Sequence, residues 1–413
     1  MKNICERIFG ISLRGGTLLF KSILIFFLAK FLDAHDVGVY GLILVTIVYC
    51  TYPLGMDFYT FSVRELIKSD REKWSEIISN QLNLHLVLYI LFLPLFFVVF
   101  IFNFIPIEFI LWFYVLLIFE HANQEIVRLL IAMSKPLSAS FAIFFRQGAW
   151  VIVVIALFLL SEKNRNLETV FFCWSIGGFV ALIFSLRILL KSSMFHWCAA
   201  DWRWIKKGVI IAFPMFVAML FMNSLTTLDK YWLASLQGKE VLGAYVLFGA
   251  MAASLVSFLD AGVFSFLYPK MIKAASDQDY QKLSILVKKV GWQTLAFSLF
   301  FSLFLLMVIS PFLSFLNKPS YKENYEIFYL MLLAIFFNAI SYIFHYALYS
   351  LKKDKDILSS HIFGFFVFIL GTFVVSKWSS LYAVPIGLLL AYFSVLCIKA
   401  IVYFMEMKYN LSF

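Results

Sequence analysis

Phe109 to Met133 reads FILWFYVLLIFEHANQEIVRLLIAM. The flanks have the composition of a membrane span, yet the centre holds Glu120, His121, Asn123, Gln124, Glu125 and Arg128. At ~100° per residue, Glu120, His121, Gln124, Glu125 and Arg128 fall within an arc of about 140°, while Ala122, Ile126, Leu129 and Leu130 take the other side. This is a helix with one wet or protein-packed stripe and one lipid face. It needs a bundle of other spans to shelter that stripe.

The rest of the chain supplies them. Its 413 residues are 63% hydrophobic and 14% charged, where a soluble domain is about half apolar and about a quarter charged. Apolar stretches of spanning length recur at about 11–32, 37–60, 80–104, 107–131, 137–160, 168–190, 209–235, 241–267, 292–316, 327–350, 357–376 and 380–404. The expectation is an all-α integral membrane protein with about twelve transmembrane helices. The N-terminal MKNICERIFGISLRGG has no apolar run followed by a cleavage site, so the first span is expected to act as its own insertion signal.

Basic residues alternate between connections. With the N-terminus placed in the cytoplasm, 22 Lys and Arg fall on the inner side, 6 in outer loops, and the remaining 6 of the 34 within spans. By the positive-inside rule both termini of this multi-pass protein are expected to be cytoplasmic. The net charge of +10 is then read as inner-face charge near anionic lipid, and no nucleic-acid partner is implied.

The longest central connection, KSSMFHWCAADWRWIKKG from Lys191 to Gly208, has the tryptophans and basic residues of a segment lying in the membrane interface. It divides the chain into a six-span bundle over 1–190, the linker 191–208 and a six-span bundle over 209–413. With an even number of spans in each, a repeat would be of the parallel kind. Gly38 and Tyr40 match Gly243 and Tyr245 at an offset of 205 residues, and Phe61 matches Phe266 at the same offset.

Ionisable residues inside spans cost roughly 2.5–3.5 kcal/mol each at the bilayer centre. Here they gather on faces. Arg14, Thr17 and Lys21 share one side of the first span; Arg146 lies well inside the fifth; Asn83 and His85 lie in the third; Asp57 lies near the end of the second. In the C-terminal half, Asn223, Thr226, Thr227 and Lys230 form a stripe with Asp229 beside it, and Asn338, Ser341 and His345 form another. The plain explanation is an internal ion-pair network, Glu120 or Glu125 with Arg128. Sharing a side of the stripe assigns Glu120 to Arg128 and leaves Glu125, beside His121, as the protonatable group. Arg14, Lys21 and Arg146 have no acid nearby in sequence. With Arg128 and Lys230 they are the candidate contacts for an anionic ligand. Glu125, His121, Asp57 and Glu120 are the candidates for ion coupling.

Several chemistries are not indicated. Cys5, Cys50, Cys173, Cys198 and Cys397 are scattered without metal-ligand spacing. There is no GxxxxGK[ST] loop, and no nucleophile–base pair stands out. No catalytic or metal-binding residue is expected, and no cofactor beyond a coupling H+ or Na+. The short outer loops disfavour a membrane glycosyltransferase or O-antigen polymerase, the alternative from a different class.

The span pattern, the basic linker, the G-x-Y entering spans 2 and 8, and LGMDFYTFSVREL (Leu54 to Leu66) resemble the polysaccharide exporters of the multidrug/oligosaccharidyl-lipid/polysaccharide (MOP) superfamily, most closely the Wzx-type O-antigen flippases. The resemblance implies two six-helix bundles around a central cavity lined with basic residues. It also implies translocation of undecaprenyl-diphosphate-linked repeat units by alternating access. The partners implied are the lipid-linked oligosaccharide, membrane lipids, and an O-antigen polymerase and chain-length regulator. A multidrug or ion antiporter of the same superfamily is the alternative, and its cavity should be acidic rather than basic. A lipid II flippase would carry two more spans.

Overall fold

The computed structural model describes residues 2–193 and 195–411. The side chains of Lys2 and Arg7, counted above on the basic side, lie outside the described ones. Among the described residues every regular element is a helix. Within hydrocarbon, backbone N–H and C=O groups find partners only inside a helix or a closed barrel, and this sequence has no alternating strand pattern.

Helices α1 (Lys2–Phe31) and α2 (Ala34–Gly55) are followed by a short helix, α3 (Tyr59–Lys68). Next come α4 (Arg71–Leu95), α5 (Ile110–Ala132), α6 (Pro136–Leu160) and α7 (Leu167–Ser193). A long helix begins at Trp202 and breaks at Gly238, whose φ of 79° leaves the helical region. It thus forms α8 (202–237) and α9 (239–276). Helices α10 (Tyr280–Leu316), α11 (Glu326–Ser350), α12 (Asp354–Val375) and α13 (Ser380–Leu411) complete the chain. Ten helical stretches among the described residues are long and apolar enough to cross a membrane, the one through Gly238 being 75 residues long. Divided at Gly238 it supplies two spans. The polar-striped α5, 23 residues long, supplies the twelfth.

Several helices start earlier than the expected spans, α4 at Arg71 and α10 at Tyr280, and the end of the second span differs as well. The second span does not run to residue 60. It stops at Gly55, and the chain turns through left-handed Met56 (φ 47°) and Asp57 (φ 49°) into α3. Phe58 N–H donates to Gly55 O at 2.9 Å and Thr60 Oγ1 donates to Asp57 O at 2.8 Å, closing the turn. Asp57 therefore sits in a buried corner, not in a span.

The chain forms two compact units, one of 1–32 and 39–220, the other of 33–38 and 221–413. The whole 191–208 connection belongs to the first. Its non-helical part, 195–201, is fastened to α4. Ser75 Oγ donates to His196 O at 2.7 Å and accepts from His196 N–H at 2.7 Å. Ser79 Oγ accepts from Cys198 N–H at 3.1 Å, Asn80 Oδ1 from Asp201 N–H at 2.8 Å, and Asn83 Nδ2 donates to Cys198 O at 3.4 Å. These polar side chains of the third span thus serve the connection, which has no ladder of its own to satisfy its peptide groups. Asp201 then caps α8, accepting from Arg203 N–H and Trp204 N–H at 3.0 and 3.1 Å. The Trp204 ring lies 4.8 Å from Phe61 and 5.7 Å from Phe58, and both phenylalanines overlie Gly208.

In the second unit, the first turn of α2 meets the start of α9. A Cβ on Gly38 would stand 2.1 Å from Lys239 O, and one on Gly243 1.9 Å from Ala34 O. Only glycine permits this approach of backbones. The pairs 34/239 and 38/243 are related by the same offset of 205 noted in the sequence, so the repeat glycines meet each other. Tyr245 is buried and reaches Asp229, whereas Tyr40 stacks on Phe171 at 6.5 Å. Phe61 is buried and Phe266 is 67% exposed, so that match carries no shared environment.

Candidate functional site

The charged stripe of α5 splits between two clusters of the first unit. Toward its N-terminal end, Glu120 accepts from Trp174 Nε1 of α7 at 2.8 Å and stands 3.4 Å from Arg146 Nε of α6. Arg146 occupies a π-helical turn, Phe145–Ala149. The extra residue per turn there shifts the register of the helix that follows. Its own carbonyl accepts from Trp150 Nε1 at 2.9 Å, and Trp150 stacks on Trp174 at 5.7 Å and 10°. Arg146 Nη1 is buried and has no hydrogen-bond partner. Lys21 of α1 lies within electrostatic reach of both Glu120 and Arg146. Arg14, two turns earlier on α1, donates through Nε to Ser140 Oγ of α6 at 3.0 Å and has no carboxylate within ion-pair distance among the described residues. Taken as ionised, Arg14, Lys21 and Arg146 face a single carboxylate, so two positive charges are uncompensated.

One turn further along α5 lies the second cluster. Glu125, 5% exposed, is ion-paired to Arg128. Gln81 Nε2 of α4 donates to Glu125 Oε2 at 2.7 Å, and Ser62 Oγ of α3 donates to Gln81 Oε1 at 2.8 Å. His85 Nε2 stands 4.0 Å from Glu125. The His85 and His121 rings are 4.9 Å apart, and Tyr89 OH is bonded to His121 Nδ1 at 2.7 Å. The Arg128 guanidinium lies 3.6 Å over the Tyr59 ring. Asp57 is 3% exposed, and its Oδ2 has no hydrogen-bond partner. Arg128 thus faces two carboxylates, leaving one negative charge in excess.

This corrects the pairing expected from the stripe. Arg128 pairs with Glu125, and Glu120 pairs with Arg146. Eight residues separate Glu120 from Arg128, about 12 Å along a helix, too far for direct contact. Three residues bring Glu125 and Arg128 together. Lys230 is also neutralised: its Nζ donates to Asp229 Oδ2 and Oδ1 at 3.1 and 3.2 Å and to Thr226 O at 2.8 Å. Tyr245 OH donates to the same carboxylate at 2.8 Å.

Gln81, His85 and Tyr89 recur every fourth residue on α4 and form, with His121 and Glu125, the floor of a cavity of about 430 Å³ in the first unit. The rest of its lining is mostly aliphatic, from α4, α5 and α7, with Phe195 and Trp197 of the connection. The DFYTFSVREL stretch builds this region almost residue by residue. Asp57 and Tyr59 face Arg128, Ser62 holds Gln81, and Phe58 and Phe61 seat the connection. Gln81, Tyr89, Trp174 and Ser140 were not singled out in the sequence. Only the spacing of Gln81, His85 and Tyr89 could have pointed to any of them.

The family profile described as polysaccharide biosynthesis protein matches residues 7–275. Compared with individually curated proteins, the sequence finds no match. Among solved structures, the chain is similar to a multidrug-resistance MATE-family transporter of the MOP superfamily in an inward-facing conformation (TM-score 0.75, 12% identity, 96% of each chain covered). A Vibrio cholerae MATE transporter in its bent form aligns with a TM-score of 0.56 at 12% identity, over 97% of this chain and 98% of the other. At such identities the likeness speaks for the fold alone, that of a multi-helix membrane protein, while the profile, matching well over half of the chain, shows that the chain belongs to the polysaccharide biosynthesis protein family.

Proposed function

We propose that the chain is a flippase that moves an undecaprenyl-diphosphate-linked O-antigen or related polysaccharide repeat unit across the inner membrane. The observation that carries this reading is the uncompensated positive charge of Arg14, Lys21 and Arg146 within membrane helices. A diphosphate headgroup supplies about two negative charges, which such a site would neutralise. Moving that head and its sugars through hydrocarbon unaided costs far more than thermal energy. Arginine contributes paired donors to phosphate oxygens, so Arg146 is the residue a lysine should replace least well. Lys230, held by Asp229, is the weakest member of the expected set.

The test is complementation of a flippase-null strain, scored by the lipopolysaccharide ladder with immunoblots for protein level. Arg14→Ala and Arg146→Ala are expected to abolish the ladder, Lys21→Ala to weaken it, and Arg146→Lys to restore part. Full ladders from all three alanine variants would overturn the reading. The antiporter reading draws on the second cluster, where Asp57 and Glu125 outnumber Arg128. It gains if those ladders are full and the membranes instead extrude organic cations. Both termini in the cytoplasm, and docking to a polymerase and a chain-length regulator, belong to the same proposal.

A further inference from the structure

One of the six basic residues within spans, Lys399, lies at the centre of α13 and is 2% exposed. Among the described residues, no carboxylate is within ion-pair distance of it. Its Nζ instead stands 3.1 Å from His361 Nε2 of α12 and 3.5 Å from His345 Nδ1 of α11. Both imidazoles are half-buried, so they connect the sealed amine to its surroundings. The other groups around the three are weak acids or are already engaged. Tyr342 and Tyr346 of α11 flank His345 at 5.6 and 5.5 Å, and Tyr346 OH donates to Asp260 Oδ1 of α9 at 3.0 Å. On α13, Tyr403 is bonded to Ser284 of α10, and Tyr392 lies within electrostatic reach of Asp229 and Tyr342. Glu406, also on α13, is taken by Lys353 at 2.7 Å.

A buried ammonium with no counter-ion is expensive. It persists when it can shed its proton without orphaning a hydrogen bond. This arrangement allows that. The ammonium donates to both imidazole lone pairs. After loss of one proton, the amine donates to one ring and accepts from the other in its alternative tautomer. The proton leaves or enters by the ring nitrogens that face away from Lys399. At such burial no ligand larger than a proton reaches the amine in this state.

We infer that Lys399, His345 and His361 form a proton-binding site of the second unit that takes up and releases one proton per transport cycle. The coupling part of this inference rests on the transport reading above; the proton-binding part does not. In nanodiscs, 15N-imidazole spectra of the full chain, with His345→Gln and His361→Gln for assignment, should show both rings responding over one shared pH interval. Lys399→Met should abolish that shared response. Rings that titrate independently, or that ignore Lys399→Met, overturn the site.

In proteoliposomes, a prenyl-diphosphate-linked fluorescent disaccharide should redistribute by up to about tenfold per unit of pH gradient, the limit for one proton. Lys399→Met should equilibrate the probe without responding to the gradient. A wild type that moves the probe but ignores the gradient, or a Lys399→Met that still follows it, overturns the coupling. A wild type that moves no probe overturns the transport reading alone, and the imidazole spectra still decide the site.

Discussion

Glu120→Gln removes the one carboxylate facing the cationic cluster while leaving an acceptor for Trp174. At 3.4 Å and an effective dielectric near 20, the attraction between Glu120 and Arg146 is about 5 kcal/mol before desolvation. Both side chains keep a little exposure, 14% and 11%, and Arg146 Nε is not aligned as a hydrogen bond to the carboxylate. The net loss should therefore fall at the lower end of the roughly 3–5 kcal/mol range for breaking a buried pair, about 3 kcal/mol. Against a stability of about 5–15 kcal/mol, that is enough to lower the amount of protein in the membrane. Melting of the purified protein in detergent gives the measurement. Glu120→Gln combined with Arg146→Gln should recover much of the loss, since no charge is stranded, yet it should fail to restore the ladder. A Glu120→Gln protein as stable as wild type would refute the reasoning about the pair. A double variant with a full ladder would remove Arg146 from the substrate site.

Glu125→Gln should cost less, about 1–2 kcal/mol, because the Tyr59 ring and Asp57 still hold Arg128; protein level should persist while translocation falls, and normal transport would make Glu125 structural. Gly38→Ala and Gly243→Ala each force backbones apart by about 1 Å and should lower stability by about 1–3 kcal/mol apiece. Because they part the same contact, the double variant should cost clearly less than the sum in a thermal-melt cycle, and simple additivity would refute the shared crossing. Ser75→Ala with Ser79→Ala should loosen the 196–198 backbone from α4 at about 1 kcal/mol per bond, read as faster proteolysis within 191–208; unchanged cleavage would show that Asn80, Asn83 and the Trp204 packing hold it without the serines. Single cysteines at Ser69, Lys206 and Asp277 should resist an impermeant thiol reagent in whole cells, while one at Asn164 or Asn324 reacts; labelling at Ser69 from outside would reverse the proposed orientation.

Hydropathy was enough to place the spans because the bilayer imposes one length on all of them. It runs past Gly55, since Asp57 is a single charge between Met56 and Phe58 and barely lowers the mean of a long window; the left-handed φ of Met56 and Asp57 is what turns the chain there. Helical periodicity correctly grouped Glu120, Glu125 and Arg128 on one stripe. The Glu125–Arg128 pair follows from their spacing of three within α5, but the Glu120–Arg146 pair depends on α6, whose π turn places Arg146 beside Glu120, and nothing local in the sequence encodes that meeting. Asn83 reads in the sequence as an intramembrane polar residue, whereas in the fold it serves the connection through Cys198 O. Lys399 has no partner in its own helix, and the histidines that meet it, His345 and His361, arrive from two others, so no local spacing encodes the cluster.

The contact between residues 34–38 and 239–243 reads the same from either side, glycine against the residue four before its counterpart. Such reciprocity is the mark of an isologous interface between two copies of one chain. If the halves descend from a duplicated gene, the ancestral product met itself at this glycine, and one mutation to glycine served both sides at once. After fusion the two positions became separate targets for mutation, so each now has to be kept on its own. The flanking tyrosines, released from that symmetry, were free to diverge, Tyr40 toward an aromatic stack and Tyr245 toward a carboxylate.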